Sequence, residues 1–233
     1  MIRVFLITVI FSLLSGCVSS KQRLQIISEV KYKSKSICIT NPFVYLEVLD
    51  INRRYFDKEN QMKMVEFITS EAKDSLIKQF QVSTTVNQID SVYFEYGNQL
   101  YYYMMRIDNN KKWSTIEMPA LVKEEIDKSD CDLNLLIFNS AFFRTEASMA
   151  RGVAGSVALG ILTLGNATVI PYKAMSKMYV AIYSKEKGGI IYFDNEEDSD
   201  MPIEENNAKK QIRTLLEDFL DAPKSLPVVL DNK

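Results

Sequence analysis

The run from Leu133 to Phe143 constrains this chain more than any other stretch. Leu135, Leu136, Ile137 and Phe138 follow one another without a polar residue between them. Successive side chains of a strand point to opposite faces of a sheet, so a half-buried strand alternates apolar with polar. An unbroken apolar run of this length predicts instead a strand buried on both faces, at the centre of a sheet.

The elements around it follow from periodicity. Ile37 to Thr40 reads as a short apolar strand, separated by Pro42 from a second strand, Phe43 to Leu49. From Gln61 to Phe80, the apolar residues Met64, Phe67, Ile68, Ala72, Leu76 and Phe80 recur at intervals of three and four, the spacing of one helix face, with Lys63, Glu66, Lys73 and Asp74 opposite. Val82 to Val86 reads as a strand. The aromatic-rich Val92 to Ile107 suits a strand or a helix, and Ala120 to Lys128 a helix stopped by Ser129-Asp130. Met178 to Tyr183 and Ile190 to Phe193, joined through Gly188-Gly189, predict an antiparallel hairpin. A last helix from Glu204 to Leu220 would bury Ala208, Ile212, Leu215, Leu216, Phe219 and Leu220. The expected fold is α/β with a mixed, α+β-like sheet: one domain of two or three layers, closed by a hairpin and a helix.

The first residues speak to location. Arg3 precedes an apolar stretch, Val4 to Leu14, too short to span a bilayer, and Leu14-Ser15-Gly16-Cys17 follows it. This order resembles the cleavage box of bacterial lipoproteins, which implies acylation of the Cys17 thiol and removal of residues 1–16. Several acyl chains exceed what stable membrane attachment needs. Residues 17–35 are mostly basic, and are expected to form a lipidated tether beside an anionic lipid surface, reaching at most roughly 60 Å, the alternative being a short strand or helical turn of Leu24, Ile26, Ile27 and Val30 that shortens the reach. The domain would occupy 36–222, and 223–233, with Pro223 and Pro227, a loose tail.

Composition narrows the chemistry. The 28 Lys and Arg against 30 Asp and Glu give no reason to invoke nucleic acid. The chain contains no histidine, which removes Ser-His-Asp and Cys-His catalysis and most catalytic zinc sites. Besides Cys17, Cys38 and Cys131 remain. In an oxidising compartment they permit one disulfide, although the apolar runs beside them favour two small buried packing residues instead.

The order of elements resembles the α/β domain shared by the curli secretion lipoprotein, penicillin-binding-protein activator lipoproteins and related envelope lipoproteins. The likeness rests on the cleavage box through Cys17, on Ser36-Ile37-Cys38-Ile39-Thr40-Asn41-Pro42 followed by Phe43, on Cys131-Asp132-Leu133-Asn134-Leu135-Leu136-Ile137, and on Met178 to Tyr183 with Gly188 to Tyr192. It implies action by binding and assembly, without catalytic residues to carry over.

Ala147 to Gly165 carries one charge, Arg151, and half of the chain's 8 glycines. Its small residues permit close backbone approach. In the curli secretion channel an insertion at the comparable place contributes to a transmembrane barrel, so the resemblance implies that Gly152, Val153, Gly155, Val157, Leu159, Gly160 and Leu162 enter a membrane or line an oligomer contact. The alternative is a helix of small residues packed on the sheet; in each case the segment is expected to be covered, with Gly152 and Gly155 allowing the approach. The aromatic cluster of Tyr93, Phe94, Tyr96, Tyr101, Tyr102, Tyr103 and Trp113 suits a sugar or peptide platform, or more commonly core and interface. The acidic stretch from Asp194 to Asp200 lacks the spacing and glycine of a calcium loop, and reads as a solvated loop before the final helix.

The expectation that combines these readings is a non-catalytic, membrane-tethered envelope lipoprotein. It would bind a protein partner or another copy of itself, with no metal and no cofactor. Val18 after the cysteine, not aspartate, points to the outer membrane facing the periplasm. The alternatives are a subunit of an oligomeric secretion channel and, less favoured, an enzyme acting on envelope polymers through paired carboxylates.

Overall fold

A computed structural model describes residues 26–85, 91–110, 113, 116–162 and 171–222, the side chains of 158–162 excepted. The cleavage box with Cys17, the first part of the expected tether and the tail 223–233 lie outside the described residues.

The central strand is where the apolar run places it. β5 (Leu133–Arg144) pairs along its whole length with β6 (Ala174–Ser184), which turns back into β7 (Gly189–Asp198). Its other edge is shared. β1 (Ser36–Thr40) lies parallel to the first half of β5, and β2 (Phe43–Leu49) parallel to the second half. Ile39 pairs with Leu135 and Phe43 with Phe138, so the β1–β2 side contains one residue more than the β5 side over that interval. The excess is absorbed at Asn41-Pro42, where Asn41 adopts a φ of 41° and its amide donates to the Thr85 carbonyl at 2.7 Å. Asparagine tolerates this left-handed conformation better than most residues, and proline ends the pairing by lacking an N–H. Beyond β1 lies β4 (Gln81–Thr85), parallel; beyond β2 lies β3 (Arg54–Phe56), antiparallel.

Helices cover both faces, making three layers. Leu133, Leu135 and Ile137 point into a core with α2 (Lys58–Leu76) and α6 (Glu205–Asp221). Leu136 and Phe138 point into a second core with α3 (Ser91–Asp108) and α4 (Ala120–Lys128). Helix α2 begins at Asp57, whose carboxylate accepts from the Asn60 amide at 3.1 Å and caps it. It stops before the expected Phe80, which leaves the helix to lie 6.0 Å from Phe219 of α6. Strand β3, three exposed residues with no apolar alternation, gave no sequence signal.

Three expectations are corrected. Residues 26–33, assigned to the tether, take the helical alternative as α1 and belong to the domain, with Ile27 and Val30 in the first core. The Lys31 ammonium is buried and donates to the carbonyls of Phe219, Leu220 and Ala222 at 2.7, 2.8 and 3.0 Å. Those are the unpaired acceptors of the α6 C-terminus, where a cation is favoured. The domain thus begins about ten residues earlier than the composition suggested. The residues Asp194 to Asp198, expected in a loop, extend β7 along Ser176 to Val180. Finally, Cys38 and Cys131 are not separate packing residues but a disulfide, with Cα atoms 5.6 Å apart and 93 positions between them.

The bond ties β1 to the α4–β5 junction, and polar groups around it do the same. Asn134, fully buried and paired with Cys38 in the ladder, holds its Oδ1 3.1 Å from the Thr40 hydroxyl and 2.6 Å from that of Ser129. Asp132 accepts from the Lys35 and Ser36 amides at 2.8 and 3.1 Å; the Lys35 amide first, then that of Ser36, keeps its carboxyl below the usual range despite partial burial. Closing so long a loop is expected to stabilise the domain by about 4 kcal/mol through the unfolded chain. The Cys38→Ala/Cys131→Ala variant should lose that amount in denaturant unfolding, and alkylation of the unfolded, unreduced protein should find neither thiol free.

Candidate functional site

Strands β2 and β5 run parallel and end together, Leu49 beside Arg144. From there the chain leaves in two directions, which opens a crevice between them. After β2 it turns through Asp50 to Arg53 into β3, closed by the Asp50 amide donating to the Arg53 carbonyl at 3.0 Å. After β5 it enters α5 (Glu146–Leu162) through Thr145. The Thr145 hydroxyl donates to Asp50 Oδ1 at 3.0 Å and accepts from the Ser148 amide at 3.2 Å, so one side chain caps the helix and fastens it to the hairpin.

The crevice has a volume of about 620 Å³ and is lined by Arg53, Arg54, Arg144 and Arg151, with Asp50 the carboxylate among them. Arg53 Nε donates to Asp50 Oδ2 at 3.3 Å, and its guanidinium lies 5.3 Å from the Tyr55 ring. Arg54 reaches Glu47 only at 4.0 Å. Arg144 Nε donates to the Tyr172 carbonyl at 3.1 Å, and Arg151 Nη1 to Asn52 Oδ1 at 3.0 Å. Asp50 is held below the ordinary carboxylate range by the Ile51 amide first, then by the Thr145 hydroxyl and Arg53, so it is ionised at neutral pH. Of these arginines only Arg151 stood out in the sequence, as the single charge of its segment. The adjacent pair Arg53-Arg54 was the signal available for the rest.

Helix α5 is the helix expected of Ala147 to Gly165, but the sheet does not cover its described part. Val153 and Val157 are 45% and 57% exposed, and Ser148 is the described residue it buries. A methyl group on Gly152 would meet Pro171 at 2.9 Å, whereas one on Gly155 would meet nothing within 4 Å. Among the described residues the expected close approach at Gly155 is therefore absent. Leu159, Gly160 and Leu162 belong to the same helix, and their side chains are outside the described residues. No described helix is long and apolar enough to cross a membrane.

The aromatic cluster forms core more than platform. Tyr93, Tyr96 and Tyr103 are buried, Phe94, Tyr101 and Trp113 pack against the same core, and Tyr102 is exposed. Burial pushes the Tyr93 and Tyr103 phenols up to about 12 and Tyr96 higher, which leaves them neutral and unsuited to proton transfer. Tyr93 donates to the Pro42 carbonyl at 2.8 Å, pinning the break between β1 and β2. Among the described residues no cluster of acidic and cysteine side chains is placed to hold a metal ion.

No protein-family model matches this chain, and no curated protein is similar enough to count as a relative.

Two variants check this local chemistry. Gly97 faces Phe43, whose ring would sit 2.1 Å from an added methyl and is itself buried between Tyr93 and Phe138, with centroids 4.7 and 5.7 Å away. Gly97→Ala should cost about 1–3 kcal/mol of unfolding free energy, the usual penalty of overpacking. Asp194 on β7 has a carboxyl raised by burial, with the Asp218 charge adding to the effect. A raised acid favours the fold while protonated and loses that contribution as pH rises through its folded value. Asp194→Asn should therefore raise the melting temperature at pH 7, with a gain that shrinks as pH is lowered to about 4, where an aspartate protonates even when unfolded.

Proposed function

We propose that this chain is a non-catalytic lipoprotein of the cell envelope, anchored through Cys17 and acting in protein binding or assembly from the end of its sheet that carries α5. The observation that carries this reading is the separation of the two ends. Helix α1 docks beside the β6–β7 turn, with Glu29 accepting from Lys187 and Lys33 pairing with Glu186, each at 3.3 Å. Helix α5 leaves the other end of β5, roughly 35–40 Å away at the rise of a strand. From Cys17 to the first described residue of α1 the chain extends at most about 32 Å.

So short a connection favours an orientation with α5 directed away from the anchoring bilayer. It supports a protein contact by α5 over insertion into that same membrane, which the secretion-channel reading requires. An exposed helix of Gly, Ala and Val suits another helix of small residues, since the backbones approach closely. Anchoring at a common depth would bring the α5 helices of neighbouring copies to one height. A second copy of this chain is accordingly the first occupant to test.

Cys17→Ser is expected to leave the membrane fraction or to accumulate as uncleaved precursor; normal processing with full membrane retention would end the lipoprotein reading. Photo-crosslinkers at Val153 and Val157 in intact cells should yield a product of twice the chain's mass. Gly155→Leu should leave the melting temperature of the isolated chain unchanged or higher, because the site is open, while abolishing that product. Crosslinks to lipid alone would favour the channel reading, and crosslinks to a different protein would replace self-assembly with partner binding.

A further inference from the structure

We propose that the arginine-lined crevice at the carboxyl ends of β2 and β5 binds a phosphate group carried on a larger molecule. This goes beyond the assembly reading and does not depend on the lipid anchor.

The balance of charge is the first reason. Four guanidinium groups share the crevice with the single carboxylate of Asp50, and that carboxylate already accepts from the Ile51 amide, the Thr145 hydroxyl and Arg53. Arg144 and Arg151 are held by neutral oxygens, a backbone carbonyl and an asparagine amide. Such acceptors orient a guanidinium through one nitrogen without cancelling its charge, and leave further N–H donors available. Arg53 and Arg54 are paired with the carboxylates of Asp50 and Glu47, which leaves Arg144 and Arg151 as the positive charges on neutral acceptors and the crevice favourable to an anion.

Place and size give the second reason. Open α/β sheets bind ligands in the crevice outside the carboxyl ends of parallel strands, where the chain departs in different directions. The volume of about 620 Å³ lies within the roughly 300–1,000 Å³ of small-molecule sites, larger than a lone phosphate needs. Gly152, packed on Pro171, and Gly155, with nothing described within 4 Å of an added methyl, complete the wall, so the α5 backbone lies open at Gly155.

Charge also selects the anion. A phosphate monoester carries about −1.5 to −2 at neutral pH and three acceptor oxygens, enough to engage several guanidinium groups at once. One carboxylate would compensate one. The ester could belong to a phosphorylated sugar or to a lipid headgroup, and the two sources share this chemistry.

Calorimetric titration of the full-length chain in detergent tests the proposal, with glucose 1-phosphate and dihexanoyl phosphatidic acid as the two probes and acetate as the single-carboxylate control. One saturable site per chain is expected for at least one phosphate probe. Arg144→Gln and Arg151→Gln should each weaken it tenfold or more, and Lys123→Gln on the far surface of α4 should not. Arg151 lies on an exposed helix face, so its variant tests the site without threatening the fold, which circular dichroism would verify. Preference for the sugar phosphate assigns a soluble ligand, and preference for the phosphatidic acid a headgroup. No saturable binding of either probe at millimolar concentration, equal affinity in both arginine variants, or acetate binding as tightly would overturn the proposal.

Discussion

Every layer of this molecule is organised by β5. Its two faces are fully apolar in the middle, so the free energy of removing Leu133, Leu135, Leu136, Ile137 and Phe138 from water can be gained only if helices close over both sides. That requirement sends α2 and α6 to one face and α3 with α4 to the other. Its two edges are equally demanding, because a buried strand must pair every N–H and C=O. β6 satisfies one edge alone, while the other is divided between β1 and β2 at the Asn41-Pro42 break. Register in a strand buried on both faces is set by which side chains reach which core. The extra residue at Asn41 lets Ile37 and Ile39 enter the first core and Phe43 the second.

The divided edge gives the molecule unlike ends. Where β1 and β5 begin, the disulfide, Asp132, Asn134 and the docked α1 gather many long-range fastenings. Where β2 and β5 finish, the described fastenings are the Thr145 hydroxyl on Asp50 and its amide on the Leu49 carbonyl, Arg144 on the Tyr172 and Lys173 carbonyls, and Arg151 on Asn52. Exposed apolar surface belongs to regions that engage other molecules. The two ends thus divide the work in the proposed function, one near the anchor and the other presenting α5 and the arginines.

Those arginines also explain why the crevice escapes a search for catalytic groups. Its carboxylate, Asp50, is ionised and already accepts from the Ile51 amide, the Thr145 hydroxyl and Arg53, and guanidinium groups do not give up protons. What the crevice offers is oriented positive charge, a binding property. The buried tyrosines on the other side of the sheet, raised to about 12 or above, are equally poor acids.

The sequence by itself determined the elements whose signal is local. β5, α2, α4, α6 and the hairpin follow from apolar spacing within a few residues, because strand and helix periods are properties of the backbone, and the α/β class follows from their order. Helix against strand for Val92 to Ile107 was undecided there, since its rings satisfy both periods; packing of Tyr96, Leu100, Tyr103 and Met104 on Phe138 and Tyr179 decided it. The Cys38–Cys131 bond, the docking of Lys31 on a carbonyl group 188 residues away and the meeting of Arg53 with Arg144 and Arg151 depend on partners far apart in the chain. No window of sequence contains both members of such pairs. Tertiary structure decided them by bringing the ends of β1, β2 and β5 into register, and among the described residues it also left the described part of α5 exposed, since both faces of the sheet are filled by other helices.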